Sequence, residues 1–339
     1  MTQPTIRPLQ PGDLLIGRGQ HKRELFLSPD GLSMQTRSPT WTTFLPWGAP
    51  GHGLVHETAA HGAAQVYACS RPRRDKWDVV YLAGPADVGD DVAADIWQSL
   101  LERLCQEAGR RGALRVFARL AERDSAAVMD TFRRAGFVVY GHDLLWQREP
   151  GAPDSLLPLE PVPATLRPQR GADSWGLHSL YRTLAPPLVQ QSEGFTSRDW
   201  KPPGRRWFGN GPRAYVLTLA GGIKGYLCVN KGPGETRLRL LAHPDAREAV
   251  RVLLAAGLAE LGIEPARPLT FLVPEYGSWV TEILEQAGFR HVGTQSLLVK
   301  HTVAWVRASE PRRRPVMKEV LEPVPTVPAA PATANGEPT

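Results

Sequence analysis

Residues 124–148 read DSAAVMDTFRRAGFVVYGHDLLWQR, and the fold follows from how they are read. Asp124 is a good helix N-cap, because its carboxylate can accept from an otherwise unpaired backbone N–H. Val128, Phe132 and Ala135 recur at i, i+4 and i+7, one apolar face of a helix. Gly136 suits the left-handed position beyond the last turn, and Phe137 can fold back onto that turn. An apolar strand follows. Residues 278–300, SWVTEILEQAGFRHVGTQSLLVK, repeat the pattern: Val280, Ile283, Leu284 and Ala287 form the face, and Gly288 ends it. Gly136 and Gly288 lie 152 residues apart, and Leu100 and Leu253, in the helix further upstream of each, 153 apart. A shift held across two helices and a strand predicts a duplicated domain.

Outward from these two stretches the copies fill in. Copy one has TIRP at 5–8, two strands near 54–70, the buried strand WDVVYL at 77–82 and the strand LRVFA at 114–118. Between those last two strands, residues 91–108 carry Ile96, Trp97, Leu100, Leu101 and Leu104 on one helical side. Copy two restarts with TLRP at 165–168, followed by a helix over 172–184 and an irregular stretch at 186–211. A hairpin about Gly221-Gly222 comes next, then a strand at 236–242, a helix at 245–261 and a strand at 269–273. The predicted division is an N-terminal domain at 1–150, a proline-rich linker at 151–163, a C-terminal domain at 164–307 and a tail at 308–339. The tail is rich in Pro and Ala and cannot bury enough apolar surface to order itself.

Of the 339 residues, 42% are hydrophobic and 22% charged, the balance of a soluble globular protein. No apolar run is long enough to span a bilayer and the N-terminus has no apolar signal core, so we expect a cytoplasmic protein with no membrane partner. Cys69, Cys105 and Cys228 are scattered and odd in number, which fits reduced thiols. A net charge of +6 permits weak contact with nucleic acid but does not indicate it.

The order strand, helix, hairpin, strand, helix, strand, helix ending in Gly-Phe, strand resembles the GNAT superfamily of acyl-CoA-dependent N-acetyltransferases. The match is best over 165–307 and, in copy one, over 77–148. The resemblance implies an α+β fold: two tandem GNAT-like domains, each a mixed, mostly antiparallel sheet with helices on both faces. It also implies acetyl-CoA or another acyl-CoA as cofactor and a small-molecule or peptide amine as acceptor. The family cradles the CoA pyrophosphate in a Gly-rich loop at a helix N-terminus, where the helix dipole favours an anion. Here those glycine positions fall on Ala93, Asp95 and Trp97, and on Ala246, Glu248 and Val250. Asp245 and Glu248 have instead the spacing of a capping box. The family's proton-donating tyrosine falls on Phe132 and Leu284, and neither can donate.

The resemblance places the remaining candidates. His243 ends the strand at which the acyl-transfer pocket opens and is a candidate general base. Glu275 and Tyr276 follow the next strand and face the same cleft, with Tyr276 a candidate acid in place of the missing tyrosine. Backbone groups beside Leu241 and Ala242 would hold the pantetheine, and Arg247 remains as a phosphate contact. The bland alternatives are a loop histidine before Pro244 and turn residues in Pro-Glu-Tyr-Gly. His52, His56, Glu57 and His61 come close to the zinc signature H-E-x-x-H, but Ala60 stands where the second His belongs, so no metal is expected. Trp41, Phe44, Trp47, Trp200, Trp207 and Phe208 could cover the acceptor cleft or fill the core under long loops. The leading expectation is acyl transfer from acyl-CoA to an amine, with copy two the active half. The alternatives are a non-catalytic binding module that lost its CoA loop and a tRNA-dependent aminoacyl transferase.

Overall fold

The computed structural model describes residues 5–9, 24–27, 51–58, 62–71, 75–84, 90–122, 124, 126–149, 164–203, 212–231, 236–260 and 268–302. In chain order the elements are β1 (Thr5–Pro8), β2 (Glu24–Phe26), β3 (Gly51–Thr58), β4 (Gly62–Ser70), β5 (Lys76–Ala83), α1 (Asp90–Arg110), β6 (Arg115–Ala121), α2 (Ala126–Arg134) and β7 (Val138–Arg148). They continue with β8 (Ala164–Pro168), α3 (Ser174–Leu184), α4 (Pro187–Glu193), β9 (Arg213–Leu219), β10 (Gly222–Lys231), β11 (Thr236–Ala242), α5 (Arg247–Glu260), β12 (Leu269–Pro274), α6 (Thr281–Gln286) and β13 (Arg290–His301). The predicted tail, the linker, the front aromatics Trp41, Phe44, Trp47, Trp207 and Phe208, and His61 lie outside the described residues.

Both copies share one continuous sheet, ordered β1-β3-β4-β5-β6-β13-β7-β12-β11-β10-β9-β8, with β2 added on β5. Among the described ladders only β5–β6 and β11–β12 are parallel. The centre of the sheet is an exchange. β7, from copy one, pairs with β12 and β13 of copy two. β13, from copy two, pairs with β6 and β7 of copy one. Each copy thus finds every ladder partner of its last strand in the other copy.

Strand alternation sends side chains to two faces. On one face α1 and α2 cover Trp77, Val79, Val116 and Ala118, while α5 and α6 cover Leu238, Leu240, Phe271 and Val273. On the opposite face α3 and α4 cover Phe117, Tyr140, Val216 and Leu297. The duplicated helix endings form as expected: Gly136 and Gly288 take φ +85° and +79°. Behind them the N–H groups of Phe137 and Phe289 donate to the carbonyls of Phe132 and Leu284. Phe132 and Phe137 are fully buried with centroids 5.2 Å apart. Full burial contributes about 2–3 kcal/mol for each such ring.

Three local expectations need correction. The β9–β10 turn centres on Ala220 and Gly221, at φ +50° and +77°, and Gly222 already pairs with Leu219. Residues 186–211 are not wholly irregular, since α4 forms there with Pro187 in its first turn and Gly194 in the left-handed position beyond its end. At the start of α5 there is no Asp-x-x-Glu box. A short 3₁₀ turn, Pro244–Ala246, precedes the helix and His243 caps it, its Nδ1 accepting from the Asp245 N–H at 3.3 Å.

His52, His56 and Glu57 sit on β3, where no helical zinc pair can form. Trp200 is buried against Tyr181, Phe195 and Tyr226, with centroids 5.5, 5.9 and 5.7 Å away. Cys69, Cys105 and Cys228 form no disulfide. Among the described residues no helix is long and apolar enough to cross a membrane.

Candidate functional site

The two parallel ladders are short, and each opens into a fork. In copy two, β11 and β12 pair only over residues 236–239 and 269–272, then diverge. The crevice beyond is lined by Leu184, Leu241, Ala242, Pro274, Tyr276 and Trp279 and encloses about 10 Å³. That is room for about one water. In copy one, β5 and β6 pair over 76–78 and 115–117. There the freed edge of β5 is taken by the chain itself: Glu24, Leu25 and Phe26 pair with Ala83, Leu82 and Tyr81. The Leu27 N–H donates to the Val80 carbonyl at 3.0 Å, and the Tyr81 hydroxyl donates to Glu24 at 3.1 Å.

A larger cavity, about 430 Å³, lies on the α3–α4 face where the two copies meet. β6 supplies Arg119, β7 supplies Tyr140, Gly141, His142 and Asp143, and β13 supplies Leu297. β11 and β12 add Arg239, Leu272 and Pro274, the turn after β12 adds Glu275 and Tyr276, and α4 adds Leu188, Val189 and Glu193. The strand exchange is what brings these together, since β7 and β13 run between the two forks.

The polar groups of the cavity differ in how far they are already engaged. Arg119 leans on Asp78 at 3.9 Å, and Asp78 is gripped by Arg71 through two bonds of 2.7 Å. His142 Nδ1 lies 3.2 Å from the Glu275 carboxylate. Asp143 accepts from Gln295 at 3.0 Å, and Glu193 accepts from the Tyr181 hydroxyl at 2.7 Å. Burial pushes the Tyr140 and Tyr276 phenols well above their ordinary pKa, so both stay protonated donors at neutral pH. Arg239 has no hydrogen bond or ion pair among the described residues. Its side chain is exposed and lines the cavity. Burial works against its charge, but Glu193, Tyr276 and Asp143 offset this and hold its pKa above the usual value.

The expected site residues divide into three places. Tyr276 and Glu275 line the cavity, and Tyr276 with Pro274 also walls the crevice. Leu241 and Ala242 line the crevice only. His243 and Arg247 lie on neither wall. His243 is held by Asp245, 3.2 Å from its carboxylate, and Arg247 pairs with Glu282 of α6. Arg239, Glu193, Tyr140 and Arg119 were not singled out from sequence. Arg239 did carry a signal, as a charge inside the otherwise buried run L-R-L-L-A.

No family model matches the chain, and no curated protein matches it. Among solved structures it is similar to a tandem GNAT protein from the clavulanic acid biosynthesis pathway, at 12% identity and a TM-score of 0.50 over 88% of this chain and 99% of that one. The fold is the GNAT fold, in two tandem copies. The chain is also similar to a GCN5-related N-acetyltransferase from Sphaerobacter thermophilus, at 14% identity and a TM-score of 0.48 over 74% of this chain and 80% of that one. A GCN5-related N-acetyltransferase from Kribbella flavida matches at 12% identity and a TM-score of 0.46 over 69% and 86%.

The GNAT fold implies acyl-CoA, and the residues present do not fit it. At the start of α5 the N–H groups of Asp245, Ala246 and Arg247 are bound to His243 Nδ1, His243 O and Pro244 O. Those three donors are taken, and Asp245 and Glu248 add negative charge that repels a pyrophosphate. The fork beyond is too small for a pantetheine arm in copy two and is filled by β2 in copy one.

Proposed function

We propose that this chain is a non-catalytic binding protein on a duplicated GNAT fold, and that a small polar molecule held in the seam cavity is its ligand. One observation carries the reading: the chain fills both cofactor forks with its own atoms and leaves open a cavity of about 430 Å³ lined by both copies. That volume is in the range of ordinary small-molecule sites. Its lining combines apolar walls (Leu188, Val189, Leu272, Leu297) with a few convergent polar groups, which orient a small ligand.

Thermal melting with and without millimolar acetyl-CoA tests this. A ligand at 100 times its Kd stabilises by about 2.7 kcal/mol, and we expect no such shift. A clear shift, lost on competition with CoA, would overturn the reading.

A second reading, acyl transfer from acyl-CoA to an amine with copy two as the active half, is favoured by one observation. Pro274 and Tyr276 wall both the crevice and the cavity, so a widened crevice would open directly onto a bound acceptor. Acetyl-CoA binding together with loss of activity in Tyr276→Phe would put this reading first. Salt-sensitive retention on RNA would instead favour a tRNA-dependent transferase.

A further inference from the structure

Resting on the binding reading, we infer that the seam cavity selects a small zwitterion of the free amino acid class, its carboxylate on Arg239 and its ammonium between Glu193 and Asp143. Opposite charges facing one another across a recess attract more strongly than in open water. Arg239 faces Glu193 and Asp143 and interacts with both, yet lies within 4.0 Å of neither as an ion pair. The space between them is where a molecule carrying both charges would complete each half. The other basic groups at the cavity have acidic neighbours: Arg119 lies 3.9 Å from Asp78, and His142 3.2 Å from Glu275. Arg239 is therefore the cation of the cavity with neither a hydrogen bond nor an ion pair among the described residues.

The valence of that anion follows from the same inventory. A single guanidinium matches one carboxylate through parallel N–H donors. Glu193, Asp143 and Glu275 would repel a dianion such as phosphate. Each of the first two carboxylates has one oxygen already bonded, Glu193 to Tyr181 and Asp143 to Gln295, so both are fixed in place with an oxygen left for an ammonium. Neutral Tyr140 and Tyr276 hydroxyls add donors without charge. Leu188 and Val189 offer an apolar wall for a side chain.

The test uses the full chain. Thermal melting is measured with each common free L-amino acid at millimolar concentration. For any that stabilises, it is repeated with the amide, which lacks the carboxylate charge, and with the N-acetyl form, which lacks the ammonium. We expect at least one free amino acid to raise Tm and both capped forms to lose the shift. Titration calorimetry should then show Arg239→Gln weakening binding by about tenfold or more, the scale of losing a charge-assisted contact. Because Arg239 has no hydrogen bond or ion pair among the described residues, the unliganded Tm of that variant should stay near wild type. Should it fall, Glu193→Gln, which still accepts from Tyr181, carries the same comparison.

The inference is overturned if no free amino acid stabilises, if the amide stabilises as well, or if Arg239→Gln keeps the shift. A panel of neutral sugars and amides separates the two levels of failure. If a neutral compound stabilises wild type but not the cavity-filling Gly141→Leu, the zwitterion is wrong and cavity binding stands. If acetyl-CoA alone stabilises, the binding reading itself fails.

Discussion

At the scale of single residues, Asp78 is the most tightly held charge near the cavity. Burial alone would raise its pKa, but Arg71, through two bonds of 2.7 Å, and Arg119 hold it below the usual carboxylate value. A carboxylate with a depressed folded pKa contributes stability above its unfolded pKa, and this is lost as pH falls through the folded value. We therefore expect Asp78→Asn to destabilise the protein by about 2 kcal/mol at neutral pH, somewhat less than a fully buried pair would cost. The difference from wild type should begin to shrink below about pH 4, where Asp78 of the unfolded chain takes up its proton, and close only once pH has fallen through the lowered folded value. Urea melts of both proteins at neutral and acid pH measure this, and a constant difference would count against it. Gly136 makes a second test. Its φ is +85°, and a Cβ there would come within 3.3 Å of Lys300 Cε. Gly136→Ala should cost about 1–2 kcal/mol, read as a lower denaturation midpoint with unchanged slope.

Among the elements, β2 has the most unusual role. Three residues pair with the half of β5 that β6 has left, and Leu27 anchors them in the core at 1% exposure. Leu27 donates to Val80, so by strand alternation the Leu25 N–H points at the same edge. Leu25→Pro removes that donor and should release β2 from the fork. Hydrogen exchange should then speed up at Leu82, whose N–H faces β2, and remain slow at 76–78, where β6 still pairs. Uniform loss of protection along β5 would show that β2 supports the whole strand and does not merely fill the fork. α4 works differently: it is short, but its C-terminal end is pinned across the seam. Lys76 of β5 donates to the Gly194 carbonyl at 3.1 Å, and Arg115 of β6 reaches the Gln191 carbonyl at 3.4 Å. The helix that carries Glu193 to the cavity is thus fastened by copy one, although it belongs to copy two.

For the whole molecule, the exchange of β7 and β13 makes the two copies one folding unit. A half lacking its partner would expose an interior sheet edge, at β6 or at β12, with a row of unpaired N–H and C=O groups. Expressed separately, residues 1–150 and 164–339 should fail to give soluble folded protein. Co-expressed, they should assemble into a one-to-one complex with the melting behaviour of the intact chain. Size-exclusion chromatography and circular dichroism decide this, and an independently folded half with a sharp thermal transition would contradict the exchanged sheet.

The duplication, the helix faces and the Gly-Phe endings were legible in residues 124–148 and 278–300, because each is a local pattern with its own physical cause: 3.6-residue periodicity and a left-handed glycine. The absence of glycine from the positions of the family's cofactor loop was legible too, as Ala246, Glu248 and Val250 stand there. The site was only half legible. Tyr276 and Glu275 could be placed because they follow a recognisable strand. Arg239 read as one more charge on a strand, since nothing local says whether such a side chain meets solvent or a cavity. That was decided by which strands pair. An interior strand of this sheet can find equally good ladder partners in either copy, and pairing is a long-range choice that side-chain period does not encode. Only the tertiary structure sent β7 and β13 across the seam, and so set Tyr140, Asp143 and Arg239 around one cavity.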